Sequence, residues 1–577
     1  MARLDPHSYA DTDQPRTRSI DFALRVNFDR RELDGDVVLR FHAAGRGPLD
    51  LDTRGLRIDA VESLSGAPLR HALQPSEPIL GARLRIELPE GSEGVHIRYA
   101  TSPSASALQW LEPSQTLGKA QPFLFSQAQP IHARSILPLQ DTPRTRITVG
   151  SARFTVPARL RALMAAAPRG REPGGELAVD AFEMPQPIPP YLLAFAVGDL
   201  TPRQLSARCA VWAERAIADE AAYEFAQVED MLVCAEELFG PYEWERYDIL
   251  IMPPSFPYGG MENPRLTFVT PSVIAGDRSL VNVVAHELAH AWTGNLVTNA
   301  SANDFWLNEG FTVYAERRIL EALEGSESAE LHAAIGLHDL RVTLERFADR
   351  PQLTRLRTDL SGVDPDEAYS TVPYEKGYLL LRKLEETAGR AAWDDFLRAY
   401  LEAFRFQSIT TQDFLDFLEG HLPGLAARAG ALAFIDGPGL PQHARLPHSQ
   451  RLSQLQSGAM EPQNPTELLA WLQSIQPDAA KLRELDARYG LSTRRSLELR
   501  HTFVLLQLRA GLPEGVEGAR RVALETGRMK YLRPVFTELA RRDRRAAERI
   551  YAEARSGYHN IARSVVEGLL KNAPAGR

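Results

Sequence analysis

His286-Glu-Leu-Ala-His290 places two imidazoles four positions apart in a segment, 279–294, that reads as one helix. Residues at i and i+4 share a helical face, about 5–6 Å apart at Cβ. Both rings can then reach a single tetrahedral Zn²⁺. Glu287 lies between them and can project toward water on such an ion, as the general base of a zinc peptidase does. Two hydrogen-bonded histidines in a buried helix would give the same five residues without any chemistry. Glu309 favours the metal. It falls nineteen positions beyond His290 in a second expected helix, 303–318, with Asn303 and Asp304 as its capping residues and an amphipathic continuation. Helices joined by a short connection pack as neighbours, so this carboxylate can complete a His, His, Glu set. Three protein ligands leave the fourth corner to water, which distinguishes a catalytic zinc from a structural one. Gly310 within that helix costs about 1 kcal/mol against Ala; a close backbone approach to a neighbour would account for it.

These side chains need a scaffold, and the chain has three textures. Ile20, Phe22, Leu24, Val26 and Phe28 alternate with other residues, the pattern of a half-buried strand. Asp34-Gly35 is expected to turn the chain into Val37, Leu39 and Phe41. The pairs Leu49/Leu51 and Leu56/Ile58 repeat the alternation, as do Leu84/Ile86/Leu88 and Val95/Ile97/Tyr99. Many short strands predict an antiparallel β saddle or sandwich up to about residue 198. From about 200 the texture is helical, with one helix expected over 221–239 and short buried strands at 248–252 and 266–269. The two motif helices follow, then more helices to about Phe434. Residues 441–465 carry Pro, Gln, Ser and His with little periodicity and read as a linker. Helical segments with short turns then run to about 570, an array rather than a closed bundle. The expected division is 1–199, 200–440, the linker 441–465, and 466–577: a multidomain α+β protein.

A length of 577 residues allows several domains, each with its own core. The net charge of −9 argues against nucleic acid or an anionic membrane surface as partner. Two cysteines, Cys209 and Cys234, permit one disulfide at most and fit a reducing cytoplasm. No apolar run near the N-terminus suits a signal peptide, and no stretch of about 18 apolar residues predicts a membrane span. The basic run 541–549 reads as a solvated helix face.

Several motifs in one order carry a resemblance. Gly259-Gly-Met-Glu-Asn263, His286 to His290, Trp306-Leu-Asn-Glu-Gly310 and Val372-Pro-Tyr-Glu-Lys-Gly377 resemble the M1 (gluzincin) zinc aminopeptidases. Ser126-Gln-Ala-Gln129, 136–143, Trp292-Thr-Gly-Asn-Leu-Val-Thr298, Asp364-Pro-Asp-Glu-Ala-Tyr369 and Gly527-Arg-Met-Lys530 are similar to the leukotriene A(4) hydrolase/aminopeptidase branch. The resemblance implies a β saddle, a thermolysin-like catalytic domain and a HEAT/armadillo-like helical domain. It implies one Zn²⁺ on His286, His290 and Glu309, Glu287 as base and Tyr374 as the phenol that stabilises an oxyanion. It implies that Glu262 and Gln129 bind the free α-amino group of a short peptide, and that Gln127 and the stretch Pro257, Tyr258, Gly259, Gly260 and Met261 line the substrate. Arg528 and Lys530 would hold the far carboxylate, favouring di- and tripeptides, and the chain would be a monomer. Asp366 and Tyr369 match positions tied in that branch to hydrolysis of a lipid epoxide, the alternative reading. A non-catalytic peptide-binding scaffold is disfavoured by the intact ligands, Glu287 and Tyr374, and an endopeptidase by Glu262.

Overall fold

The computed structural model describes residues 3, 5–280, 282–442, 444–476 and 478–572. Ile20, Phe22, Leu24 and Val26 are buried along the strand Thr17–Asn27. This strand pairs antiparallel with Glu32–Thr53, Ile20 opposite Leu39 and Phe22 opposite Val37. Phe28 falls just past its end, packed at the edge of the core. The turn lies at 28–31, and Asp34-Gly35 sits inside the next strand rather than at a turn. Gly35 is required there because the Tyr99 ring occupies the space a side chain would fill: a Cβ would fall 2.3 Å from its Cζ.

The eight-stranded sheet runs in the order Ala167–Gly174, Leu177–Ile188, Ile147–Pro157, Thr17–Asn27, Glu32–Thr53, Ala82–Ala100, Arg57–Ser63, with His71–Leu73 also paired to Ala82–Ala100. Leu84 to Leu88 and Val95 to Tyr99, expected as separate strands, are two parts of the long strand Ala82–Ala100. The sheet is antiparallel except where Thr17–Asn27 meets Ile147–Pro157. The chain between them leaves to build a second sheet, and such a long excursion permits a parallel return. That second sheet orders Leu108–Leu111, Phe123–Ser126, Phe195–Gly198 and Arg161–Met164. From it the Phe125 ring reaches Phe256 at 5.8 Å and His559 at 5.8 Å, tying the β region to both later regions.

The region after residue 199 opens on strand, not helix. Its five-stranded sheet runs Leu200–Gln204, Ala210–Glu214, Asp248–Ile251, Leu266–Val269, Gly260–Met261. The helix expected over 221–239 is two, Ala218–Glu224 and Val228–Phe239. The break aims the Glu224 carboxylate at the backbone N–H groups of Gly276 and Arg278, 2.8 and 2.9 Å away.

The helix carrying both histidines is also shorter than expected, Asn282–Ala289. Its chain turns at His290 and so brings the Thr293 carbonyl back to the His290 ring. The helix carrying Glu309, Trp306–Glu324, is buried on every side from Trp306 to Leu320, so it is central rather than amphipathic. Asn303 and Asp304 do not cap it. Ser301 caps the short 3₁₀ turn that precedes it, while Asn303 accepts from Leu360 N–H and Asp304 from Thr411.

Gly310 has the close neighbour its cost implied. A Cβ on it would lie 2.8 Å from Gly377 Cα, and one on Gly377 would lie 2.7 Å from Gly310 Cα. Two helices can touch this closely only through paired glycines. The contact sets Glu309, one residue before Gly310, against the π-helical turn Val372–Lys376 that carries Tyr374.

Within 441–465 the structure holds a helix, Gln450–Ser457, capped by Ser449. Ser449 also donates to Glu327, and Arg451 pairs with Glu467. Among the described residues, seven helices follow from Pro465–Ser474 to Asn560–Asn572. Their array docks on the central region through backbone bonds, Gly527 N–H to Pro254 O at 2.7 Å and Met529 N–H to Pro257 O at 2.8 Å. Among the described residues no helix is long and apolar enough to cross a membrane.

Candidate active site

Nε2 of His286 lies 3.2 Å from Nε2 of His290. Oε2 of Glu309 lies 3.4 Å from the first and 3.6 Å from the second. Two atoms each about 2.0–2.1 Å from one zinc ion at the tetrahedral angle are about 3.3–3.4 Å apart. The three atoms therefore form one face of a zinc-sized tetrahedron. Glu309 Oε2 is buried and has no hydrogen-bond partner among the described residues, as an atom reserved for an ion would be.

The far ring nitrogens fix how the near ones point. His286 Nδ1 sits 3.1 Å from the Glu316 carboxylate, and His290 Nδ1 3.1 Å from the Thr293 carbonyl. Both partners accept, so each ring carries its proton on Nδ1 and offers a lone pair at Nε2. Electrostatics asks for the cation as well. Burial, with the Glu309 charge next, pushes Glu262 up to about 8. Burial drives Glu287 well above the usual carboxylate range. Burial above all holds His290 well below the usual imidazole range, in its neutral form. A divalent ion among these groups would relieve the crowding of carboxylates.

Gly260 and Gly259 let the edge strand of the five-stranded sheet run between two side chains. A Cβ on Gly260 would lie 2.2 Å from Glu287 Oε1, and one on Gly259 2.6 Å from Arg528 Nη2. The strand thus delivers Glu262 to the metal cluster. Gln129 Nε2 donates to Glu262 Oε1 at 3.0 Å. Asn295 holds the Glu262 backbone carbonyl at 2.6 Å.

Tyr374 stacks on His286 with centroids 6.0 Å apart. Its hydroxyl shares a hydrogen bond with that of Tyr369 at 2.9 Å. Burial, and the Glu309 charge after it, hold this phenol protonated well above its ordinary range.

The side chains of His286, His290, Glu309, Glu287, Glu262, Gln129 and Tyr374 open on one cavity of about 260 Å³. Its wall includes Gln129, Tyr258, Gly259, Gly260 and Glu262, the three His and Glu candidates for metal, and Glu287, Tyr369, Tyr374, Arg528 and Lys530. Four expected lining residues, Gln127, Pro257, Met261 and Asp366, stand elsewhere. Gln127 is buried against the Met261 sulfur at 3.2 Å, which keeps both side chains behind the strand. The Pro257 carbonyl is engaged in docking the helical array. Asp366 lines a second, apolar cavity that shares Gln129, Tyr258 and Tyr369 with the first. Its carboxylate is 2.9 Å from His132 Nε2.

Sequence reasoning missed several supporting groups. Glu316 stands two turns after Glu309 on the same helix face, a spacing that could have revealed it. Glu498 is a different matter: it comes from a distant helix, and nothing local marks it. It binds Lys530 Nζ at 2.8 Å and accepts from the Tyr531 hydroxyl at 2.8 Å, while Arg528 donates to the same hydroxyl at 3.0 Å. The two cations expected to hold a peptide carboxylate are aimed by this one buried glutamate.

A His, His, Glu cluster with an adjacent glutamate, set beside a sheet edge in a helical and β catalytic region, defines a gluzincin metallopeptidase. Comparison with known proteins agrees. A model described as the peptidase family M1 domain matches residues 223–428, and one described as the leukotriene A4 hydrolase C-terminal domain matches 460–570. Leukotriene A-4 hydrolase of Xenopus laevis is 38% identical over 93% of this chain and 93% of its own length. Leucine aminopeptidase 2 of Neosartorya fischeri is 34% identical over 98% and 97%. The structure of yeast LTA4 hydrolase in complex with bestatin superposes with a TM-score of 0.90, at 31% identity over 98% of this chain and 97% of that one. The chain belongs to peptidase family M1, in its leukotriene A4 hydrolase branch, and is a zinc-dependent aminopeptidase.

Proposed function

We propose that this chain removes the N-terminal residue from short peptides, di- and tripeptides above all. His286, His290 and Glu309 hold the zinc, and the triangle their atoms make is the observation that carries the reading. When bound, the ion supplies a Lewis acid that polarises the scissile carbonyl and acidifies water. Glu287 takes the proton from the attacking water and returns it to the leaving amine, help worth about 10²–10⁴-fold. Tyr374 donates its phenol proton in a hydrogen bond to the developing oxyanion. Glu262, oriented by Gln129, pairs with the substrate's α-ammonium and sets the register at one residue. Arg528 and Lys530 receive the distal carboxylate, and this fixed span favours short chains. Glu316 and Thr293 keep both imidazoles in the ligating tautomer.

The remaining expectations accompany this reading. We place the protein in the cytoplasm as a monomer, without nucleic acid or membrane partners. Both cysteines, Cys209 and Cys234, are free and buried, in keeping with a reducing compartment. The proposed domain limits remain about 199, 440 and 465.

The test uses tripeptides with free and with N-acetylated termini, with and without chelator. Free peptides are cleaved from the N-terminus, acetylated ones are not, and chelator stops the reaction until one zinc per chain is restored. Cleavage of acetylated peptides at the same rate would overturn the exopeptidase reading. Glu262→Ala removes the preference for the free amine.

A second reading has its own observation, the apolar cavity beyond Gln129, Tyr258 and Tyr369, with Asp366 on its wall. Hydrolysis of an unsaturated fatty-acid epoxide there would yield a diol detectable by mass spectrometry. Product unchanged from the enzyme-free control would eliminate it.

A further inference from the structure

The outer half of the cavity is bounded by one face of the helix Ser326–Arg346, where His332, Ile335, Gly336 and Asp339 follow one another at helical spacing. Arg528 and Lys530 line the same cavity. Each other carboxylate of this half is already committed. Glu316 holds His286. Glu375 takes both oxygens to Arg317 Nη2 at 2.8 Å, a pair that passes through the space a Gly336 side chain would fill. Glu498 is shared by Lys530 and Tyr531. Asp339 differs: no hydrogen bond or ion pair reaches its carboxylate from any described residue, and it is half-buried in the cavity wall. Lys530, and after it His338, favours the Asp339 charge from beyond ion-pair contact, and Lys530 is turned to Glu498. A carboxylate kept from bulk water with no cation in hydrogen-bond or ion-pair contact is costly, and a cationic ligand group brought against it removes that cost.

We propose that Asp339 is a specificity-determining residue, selecting peptides whose C-terminal residue bears a cationic side chain and rejecting those whose side chain is acidic. The inference rests on the aminopeptidase reading above. A peptide's terminal carboxylate goes to Arg528 and Lys530. The side chain of that same residue then extends toward the helix Ser326–Arg346, where a lysine or arginine meets Asp339 and a glutamate or aspartate meets a like charge. Arg528 and Lys530 do not cancel this preference, because the peptide carboxylate and Glu498 neutralise them when substrate is bound.

The experiment compares kcat/KM for Leu-Gly-Lys, Leu-Gly-Leu and Leu-Gly-Glu, at low and high salt. Close charge pairs at a desolvated interface contribute enough for a preference of about 10-fold for Lys over Leu, and a further several-fold against Glu, expressed mainly in KM. Asp339→Asn brings Lys and Leu within about 2-fold, and Asp339→Glu retains part of the preference. The proposal is overturned if wild type cleaves the Lys and Glu peptides equally, or if Asp339→Asn keeps the wild-type ratio. Failure to cleave any of the three would instead sink the aminopeptidase reading, so the two outcomes are distinct.

Discussion

A metal ligand is only as good as the group behind it. Glu316 sets the tautomer of His286, and its loss leaves that imidazole free to present the wrong nitrogen. Such supporting partners are worth about 10–100-fold in metal affinity. Glu316→Gln should therefore weaken zinc by about that factor in a chelator competition, with kcat at saturating zinc much less affected. An unchanged zinc affinity would mean that packing alone orients the ring. Tyr374 makes a complementary case. In the proposed mechanism it bonds the reacting oxygen only as charge develops, so Tyr374→Phe should lower kcat by about 10²–10³ while KM stays within a few-fold. A drop confined to KM would assign this phenol to ground-state binding.

Catalytic geometry also depends on two segments that must nearly touch. The Gly310–Gly377 contact sets the distance between the helix bearing Glu309 and the π turn bearing Tyr374. Gly310→Ala gains helix propensity, about 1 kcal/mol, yet its Cβ would collide with Gly377 Cα. Overpacking of this kind costs about 1–3 kcal/mol and shifts backbone. The expected outcome is a lower unfolding midpoint together with at least a 10-fold loss of kcat, as the phenol moves off the metal cluster. Retained stability and retained turnover would show that the helices can separate without cost to the site.

The helical array is a working wall of the site, because it supplies Arg528 and Lys530. Their aim depends on Glu498. Burial works against ionisation of this carboxyl, yet the Lys530 ammonium and the Arg528 guanidinium hold it at about 2, well below the usual carboxylate range. A depressed folded-state pKa adds stability that is complete above the unfolded value, about 4.3, and is lost as pH falls toward 2. Lys530 is partly exposed, which reduces the effect to about 1–2 kcal/mol. Glu498→Gln should thus lower the urea midpoint of the C-terminal helices at pH 7, with the deficit narrowing between pH 4 and pH 2. KM for tripeptides should rise in the same variant, since its cations lose their orientation. A deficit independent of pH would show that Glu498 contributes shape rather than charge.

Local spacing was enough to read His286, Glu287 and His290, because a helix converts four positions of sequence into one face. Glu309 and the cost of Gly310 were legible for the same reason, as was the alternation of the first strand. The limits of elements were less so. Asp34-Gly35 looks like a turn but is a strand site emptied for the Tyr99 ring, and the helix of the histidines ends early to bring Thr293 to His290. Motif resemblance pointed to Gln129, Glu262, Tyr374 and the two distal cations, but it grouped Gln127, Pro257 and Met261 with them although these stand behind the wall. Chain order could not reveal that Glu498 aims Lys530, that Arg317 neutralises Glu375, or that no described residue gives the Asp339 carboxylate a hydrogen bond or ion pair. A helix or strand period reports which neighbours share a face within one element; which charge meets which across elements is settled only when the whole chain has packed.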